Sequence, residues 1–323
     1  MAGTLDRRTW LGAAAAGLTW PAIGVAADGV VPAAGATPAT GAGAVTGTVP
    51  GVSGDALGNE AVALSPQALL QAYIRLRGSL DGSITAGWLD SLRYVIVDGV
   101  AHPFCRVIAG ALSRYERKGE AMYEATTLEV THYCDFQTGE PLETLTVPVT
   151  NRVVKVPPFR IGPAKVRFAV RLDEREAFSP KVEGKGSENF APLGEVRLRR
   201  AITDPRRTGG QLHVRHEEIG GVEPKAPGIQ PISYREWTIW RGPAEVALDP
   251  RASYCPSELS YTAMTSWRPW MQMGDLKGHT LDSGRGGKAR QFASLPANYL
   301  ELTARRHPDV VRDPEAALLG PRG

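Results

Sequence analysis

The sequence predicts a mainly β chain built as an antiparallel sheet. Two observations carry this. Segments such as "TTLEVTHYCDF", "KVRFAVRL", "EVRLRR", "QLHVRHEE" and "YREWTIW" alternate apolar and polar residues with period two, and Gly, Pro, Asp and Asn clusters separate them. No regular exchange of strand and helix patterns appears, which argues against a doubly wound parallel sheet. So many strands expose edges unless the sheet closes on itself. The expected architecture is therefore an antiparallel barrel or strongly curved sheet, calycin- or lipocalin-like, with a few short helices.

The elements follow in order. Near the N-terminus, "LDRRTWLGAAAAGLTWPAIGVAADG" sets Arg7-Arg8 before a mild Ala/Gly/Leu stretch, with small residues around Gly24 to Ala27. It reads as a twin-arginine signal over residues 1–27, too short and glycine-rich to span a membrane. The expectation is export to the periplasm by the twin-arginine machinery. Residues 28–62 are a Gly/Ala/Pro leader, 63–310 a single mainly-β domain and 311–323 a tail. "SPQALLQAYIRLRGSL" predicts a helix, with Ser65 as N-cap, Pro66 in the first turn and Gly78 as the stop. "LPANYLELTARRHP" predicts a short helix stopped by Pro308. "SGRGGKAR", Ser283 to Arg290, reads as a mobile or partner-contacting loop, since it lacks the strand and helix that phosphate cradling needs.

Composition excludes some functions. With 42% hydrophobic residues in 323 the chain can bury a large core, and a net charge of +3 is too balanced to argue for nucleic acid or an anionic membrane surface. Three cysteines, Cys105, Cys134 and Cys255, lack the spacing of a disulfide framework or zinc site. No nucleophile elbow, phosphate loop or dinucleotide fingerprint occurs. No metal or cofactor is expected. His213 and His216 lie three apart, which on one strand puts them on opposite faces and argues against a shared ion.

Four residues are candidates for chemistry. His132 falls on the apolar face of "LEVTHYC", as a ligand contact, an acid/base group or a core histidine. Tyr133 is expected to point the other way unless a bulge near the turn re-aims it. Glu236 shares a face with Tyr234, Thr238 and Trp240. If that face turns inward, Glu236 is a carboxylate among aromatics, where desolvation favours a general acid; if Trp237 and Ile239 are the core instead, it is a surface charge. Arg268 lies in "SWRPWMQMG", where Trp267, Trp270 and Met271 crowd around Pro269 and offer flat apolar surface. Tyr234, Trp240, Trp267, Trp270 and Met271 are the candidate ligand-binding residues.

The order "RGSLDG…W", "LEVTHYCDFQTGEPLETLTVPVTN", "YREWTIW", "SWRPWMQMG" and "LPA" resembles a bacterial family known as domain of unknown function 1838, from about Gln67 to Pro308. Its most specific parts are Tyr133, Asp135, Thr138, Gly139 and Glu140, and the Trp-x-Pro-Trp-Met-x-Met-Gly run. The resemblance implies no catalytic set. Two functions stand side by side. One is a cofactor-independent lyase or isomerase acting by general acid/base chemistry on a small apolar or aromatic molecule. The other is a non-catalytic lipocalin-like periplasmic binding protein for an apolar ligand. Oligomeric state, including a homo-oligomer, stays open.

Overall fold

The computed structural model describes residues 60–120, 122–156, 159–169, 179–183, 194–224 and 232–320. The expected signal and nearly all of the leader lie outside these residues.

The chain enters through β1 (Glu60–Ala61) and turns into α1 (Pro66–Arg77). Ser65 caps the helix as its residue type dictates: its backbone is extended and its hydroxyl accepts from the N–H of Ala68 at 3.2 Å. At the other end the N–H of Gly78 donates to the carbonyl of Ile74. A meander follows, β2 (Ile84–Val97), β3 (Val100–Gly119) and β4 (Met122–Cys134). Asp98 and Gly99, both at positive φ, form the two-residue turn that matches strand twist between β2 and β3.

A small separate sheet pairs β5 (Thr144–Thr146) with β6 (Val153–Lys155). Then come β7 (Phe159–Ala169), β8 (Ser179–Glu183), β9 (Gly194–Thr208), β10 (Gln211–Pro224) and β11 (Ile232–Pro243). The short α2 (Ala244–Ala247) leads to β12 (Glu258–Thr265), a 3-10 turn at Pro269–Met271 and β13 (His279–Ala289). The chain ends in α3 (Ala297–Arg306), α4 (Pro308–Arg312) and α5 (Pro314–Leu319).

The expected antiparallel sheet is present and large. Eleven strands pair in the order β1-β9-β10-β11-β12-β13-β2-β3-β4-β7-β8, with no pairing among the described residues that joins β8 back to β1. Period two sorts the core into three clusters. On one face α1 packs Leu70, Tyr73 and Ile74 against Tyr115, Phe168 and Trp240. Also on that face, Val107 and Tyr133 join a second cluster with Val95, Phe104, Met271 and Met273, which Val147, just after β5, and Val154 of β6 extend. On the opposite face Ile108, Leu112, Leu128 and Val130 meet Tyr299, Leu302 and Leu318 of the C-terminal helices.

Strand β4 buries nearly every residue, because α3 to α5 cover the face that α1 does not. Two expectations change. The glycine-rich stretch lies in strand β13 up to Ala289 rather than in a loop. A Cβ at Gly286 would sit 2.0 Å from the Trp88 carbonyl, so glycine there allows the backbones of β13 and β2 to approach. The stretch read as a tail from 311 carries α5, whose Leu318 is fully buried. No described helix is long and apolar enough to cross a membrane.

Candidate functional site

Between the cluster around α1 and the cluster under the Trp-Pro-Trp loop, the same sheet face carries a layer of buried ionisable groups. Strand register places it. Glu218 on β10 stands directly opposite Glu236 on β11, Glu236 opposite Ala263 on β12, Ala263 opposite Asp282 on β13, and Asp282 opposite Arg93 on β2. One row across five strands thus holds three carboxylates and a guanidinium, all buried.

The partners are specific. Arg93 Nε donates to Asp282 Oδ1 at 2.8 Å, an ion pair with both side chains almost wholly out of solvent. Such a pair is costly to break because the survivor is left charged and dry. His216 Nε2 lies 2.8 Å from Glu218 Oε1, and its Nδ1 lies 2.9 Å from the Thr203 hydroxyl. Tyr261 donates to Glu236 Oε2 at 3.3 Å. Within α1, Arg77 donates to the Tyr73 hydroxyl at 2.7 Å. Glu129 on β4 accepts from Thr131 at 2.9 Å, and burial pushes its carboxyl well above the usual range, so it stays protonated.

The phenols are neutral too. Burial raises Tyr133, opposed by the nearby Arg93 and Arg268, and raises Tyr234 far above its ordinary value, helped by Glu218 and Glu236. Arg268 differs from every other cation here. It is buried, forms no ion pair or side-chain hydrogen bond among the described residues, and burial together with repulsion from Arg93 lowers it to about 10. Several polar atoms of the layer are buried without a partner: Arg268 Nη2, Arg93 Nη1, Asp282 Oδ2, Glu218 Oε2 and the Tyr234 hydroxyl. Buried polar atoms are paired in the large majority of cases, so five orphans on one face mark a place where something polar belongs.

The sequence candidates divide. On β11 the Tyr234, Glu236 and Trp240 face turns inward, which decides the alternative left open by periodicity; Ile239 is exposed and Trp237 lies under Arg235. Tyr133, Glu236, Tyr234 and Arg268 are brought to one layer, with Trp240 among the apolar residues at its α1 side. Trp270 stacks on Phe104 and meets the Tyr133 ring at 5.6 Å, so it roofs the layer. Met271 is buried beside it, and Trp267 is held by a 2.7 Å bond from its indole N–H to the Leu276 carbonyl.

His132 is not part of this group. It lies on the opposite face of β4 under α3, 3.0 Å from the Thr303 hydroxyl and packed on Tyr299 and His307. Period two gives its parity correctly; nothing local says that helices cover that side. His213 and His216 do lie on opposite faces, and no group of three or more His, Cys, Asp or Glu among the described residues is arranged to hold a metal. The Tyr133-to-Glu140 motif is structural over its second half, where Asp135 Oδ1 accepts from the N–H groups of Gln137 and Thr138 and fixes the turn. Sequence reasoning missed Arg93, Asp282, Glu129 and the His216–Glu218 pair. Its available signal was the inward parity of "QLHVRHEE" opposite "YREWTIW"; Arg93 and Asp282 are linked only by the β2–β13 pairing.

Residues 236–320 match the model of a family described as protein of unknown function (DUF1838). That match supports the resemblance read from the motifs over this part of the chain. It contains Glu236, Tyr261, Arg268 and Asp282, while Arg93, Glu129, Tyr133 and Glu218 come from residues before it. No curated protein matches the chain. Among solved structures, a multiply substituted mutant of Rh. blastica porin is similar at 8% identity over 64% of this chain and 99% of that one. Its TM-score of 0.16 carries no argument about fold.

Proposed function

We propose that the buried polar layer is the active site of a cofactor-independent lyase or isomerase that moves a proton on a small, largely aromatic molecule. The observation that carries the reading is the juxtaposition of a buried carboxylate, Glu236, with neutral phenols and an unpaired guanidinium, Arg268. Glu236 takes a proton from carbon, and the electron pair of the broken C–H bond moves onto a neighbouring oxygen. Arg268 stabilises the resulting negative charge, and the Tyr133 or Tyr234 hydroxyl donates to the same oxygen. Returning the proton to another carbon gives isomerisation; loss of a leaving group gives elimination.

The enclosure is part of the proposal. Strands β7 and β10 stand seven places apart in the sheet, about 34 Å if it were flat. Yet the Tyr73 ring lies 6.5 Å from Phe168 on β7 and 5.5 Å from His216 on β10. This supports a strongly curved sheet wrapped around α1, with the layer inside the curve, and the calycin-like architecture expected from sequence.

Deuterium incorporation from heavy water into a panel of small aromatic carbon acids tests the chemistry without a known product. Exchange by the native protein is expected to vanish in Glu236→Gln. It is expected to persist in Glu217→Gln, whose carboxylate pairs with Arg215 and Arg235 on the other face of β10. Exchange unaffected by Glu236→Gln defeats the role of that residue. An unmodified ligand retained in native mass spectra, with no exchange on any compound, favours carriage instead.

A further inference from the structure

Resting on that reading of the layer as a small-molecule site, we infer that Arg268, Arg93 Nη1 and the Tyr234 hydroxyl seat a carboxylate, so that the ligand is a small aromatic monocarboxylate. Strand register puts Tyr234 on β11 and the Arg93–Asp282 pair of β2 and β13 on one buried sheet face, and Arg268 follows the end of β12, the strand between β11 and β13. Two buried guanidiniums that repel each other need anions between them. Asp282 hydrogen-bonds to only one of them, through the Nε of Arg93, and leaves Arg93 Nη1 and Arg268 Nη2 without an acceptor.

A water molecule could accept from one of these N–H groups but brings no charge. A carboxylate brings both, and its two oxygens match the planar fork of a guanidinium. The protonated Tyr234 hydroxyl supplies a further donor that has no other use. The surroundings limit the charge to one: Glu218, Glu236 and Asp282 share the layer and oppose a dianion such as a phosphate monoester. They also set the shape of the remainder, since Tyr133, Trp270 and Tyr261 present ring surface on the same side.

Calorimetric titration of the purified chain with benzoate, benzamide and phenyl phosphate tests the seat. Benzoate has no acidic carbon hydrogen, so the result does not depend on whether the protein is a catalyst. Benzoate is expected to bind at least tenfold more tightly than its neutral isostere benzamide and than phenyl phosphate. Arg268→Met, shown to be folded by circular dichroism, is expected to erase the preference for benzoate over benzamide, and Tyr234→Phe to weaken benzoate several-fold. Equal binding of benzoate and benzamide by the native protein overturns the inference without recourse to any variant. So does a preference that survives in Arg268→Met, or tighter binding of phenyl phosphate, or no binding of benzoate at millimolar concentration.

Discussion

Burial beneath α3 pushes the His132 imidazole down to about 3, and His307, Arg306 and Arg305 add to the effect. The unfolded side chain titrates near 6.5. Between those two values the unfolded chain binds a proton that the native one refuses, so the contribution of His132 is present above about pH 6.5 and is lost as pH falls toward about 3. His132→Gln, which keeps a partner for the Thr303 hydroxyl, removes that titration. Denaturant unfolding at pH 7.5, 5.5 and 4.5 is expected to show the stability gap between native protein and variant narrowing by up to about 1.4 kcal/mol per pH unit below 6.5. A gap independent of pH contradicts the burial of a neutral imidazole. At this scale the sequence was legible in parity and illegible in environment. His132 and Glu236 sit on inward faces alike, yet one meets a helix 171 residues away in sequence and the other a carboxylate that only the β10–β11 pairing brings opposite it.

Among the elements, α1 was readable because its signals are local: a hydroxyl cap, a proline in the first turn and a closing glycine. Strand β13 was not, because its glycines answer to β2, a strand distant from it in sequence. The same logic governs how α3 sits on the sheet. A Cβ at Gly110 on β3 would lie 2.4 Å from the Tyr299 ring of α3, so the missing side chain is what allows helix and sheet to meet. Gly110→Ala is expected to cost about 1 to 3 kcal/mol by forcing the ring and its helix outward. Adding Tyr299→Leu, which withdraws the ring, is expected to recover part of that loss, a coupling that a double-mutant cycle in urea measures. Additive losses would mean that the two residues do not meet.

For the molecule as a whole, the question is whether a sheet of eleven strands behaves as one unit. Its first cluster draws Leu212 and Val214 from β10 and Tyr123 and Phe168 from β4 and β7 onto the same helix, so α1 fastens strands from both halves of the order. The polar layer lies between that cluster and the one containing Trp267 and Trp270, and residues of β2, β3 and β4 run through both. Loss of α1 packing therefore removes the support of strands that also hold the tryptophan loop. Leu70 is fully buried in α1, and Leu70→Ala is expected to cost about 2 to 5 kcal/mol. Far-ultraviolet circular dichroism reports the sheet, and the emission lost in a Trp267→Phe/Trp270→Phe background, taken as a difference because Trp240 lies in the α1 cluster, reports the loop at the other end. In a urea titration both are expected to shift to the same lower midpoint in Leu70→Ala, as a two-state unit requires. If the emission midpoint instead stays at its native value while the dichroism midpoint falls, the two ends unfold separately. The ionisable layer would then be a boundary between two units, and an enclosure shared by Glu236 and Arg268 could not be sustained.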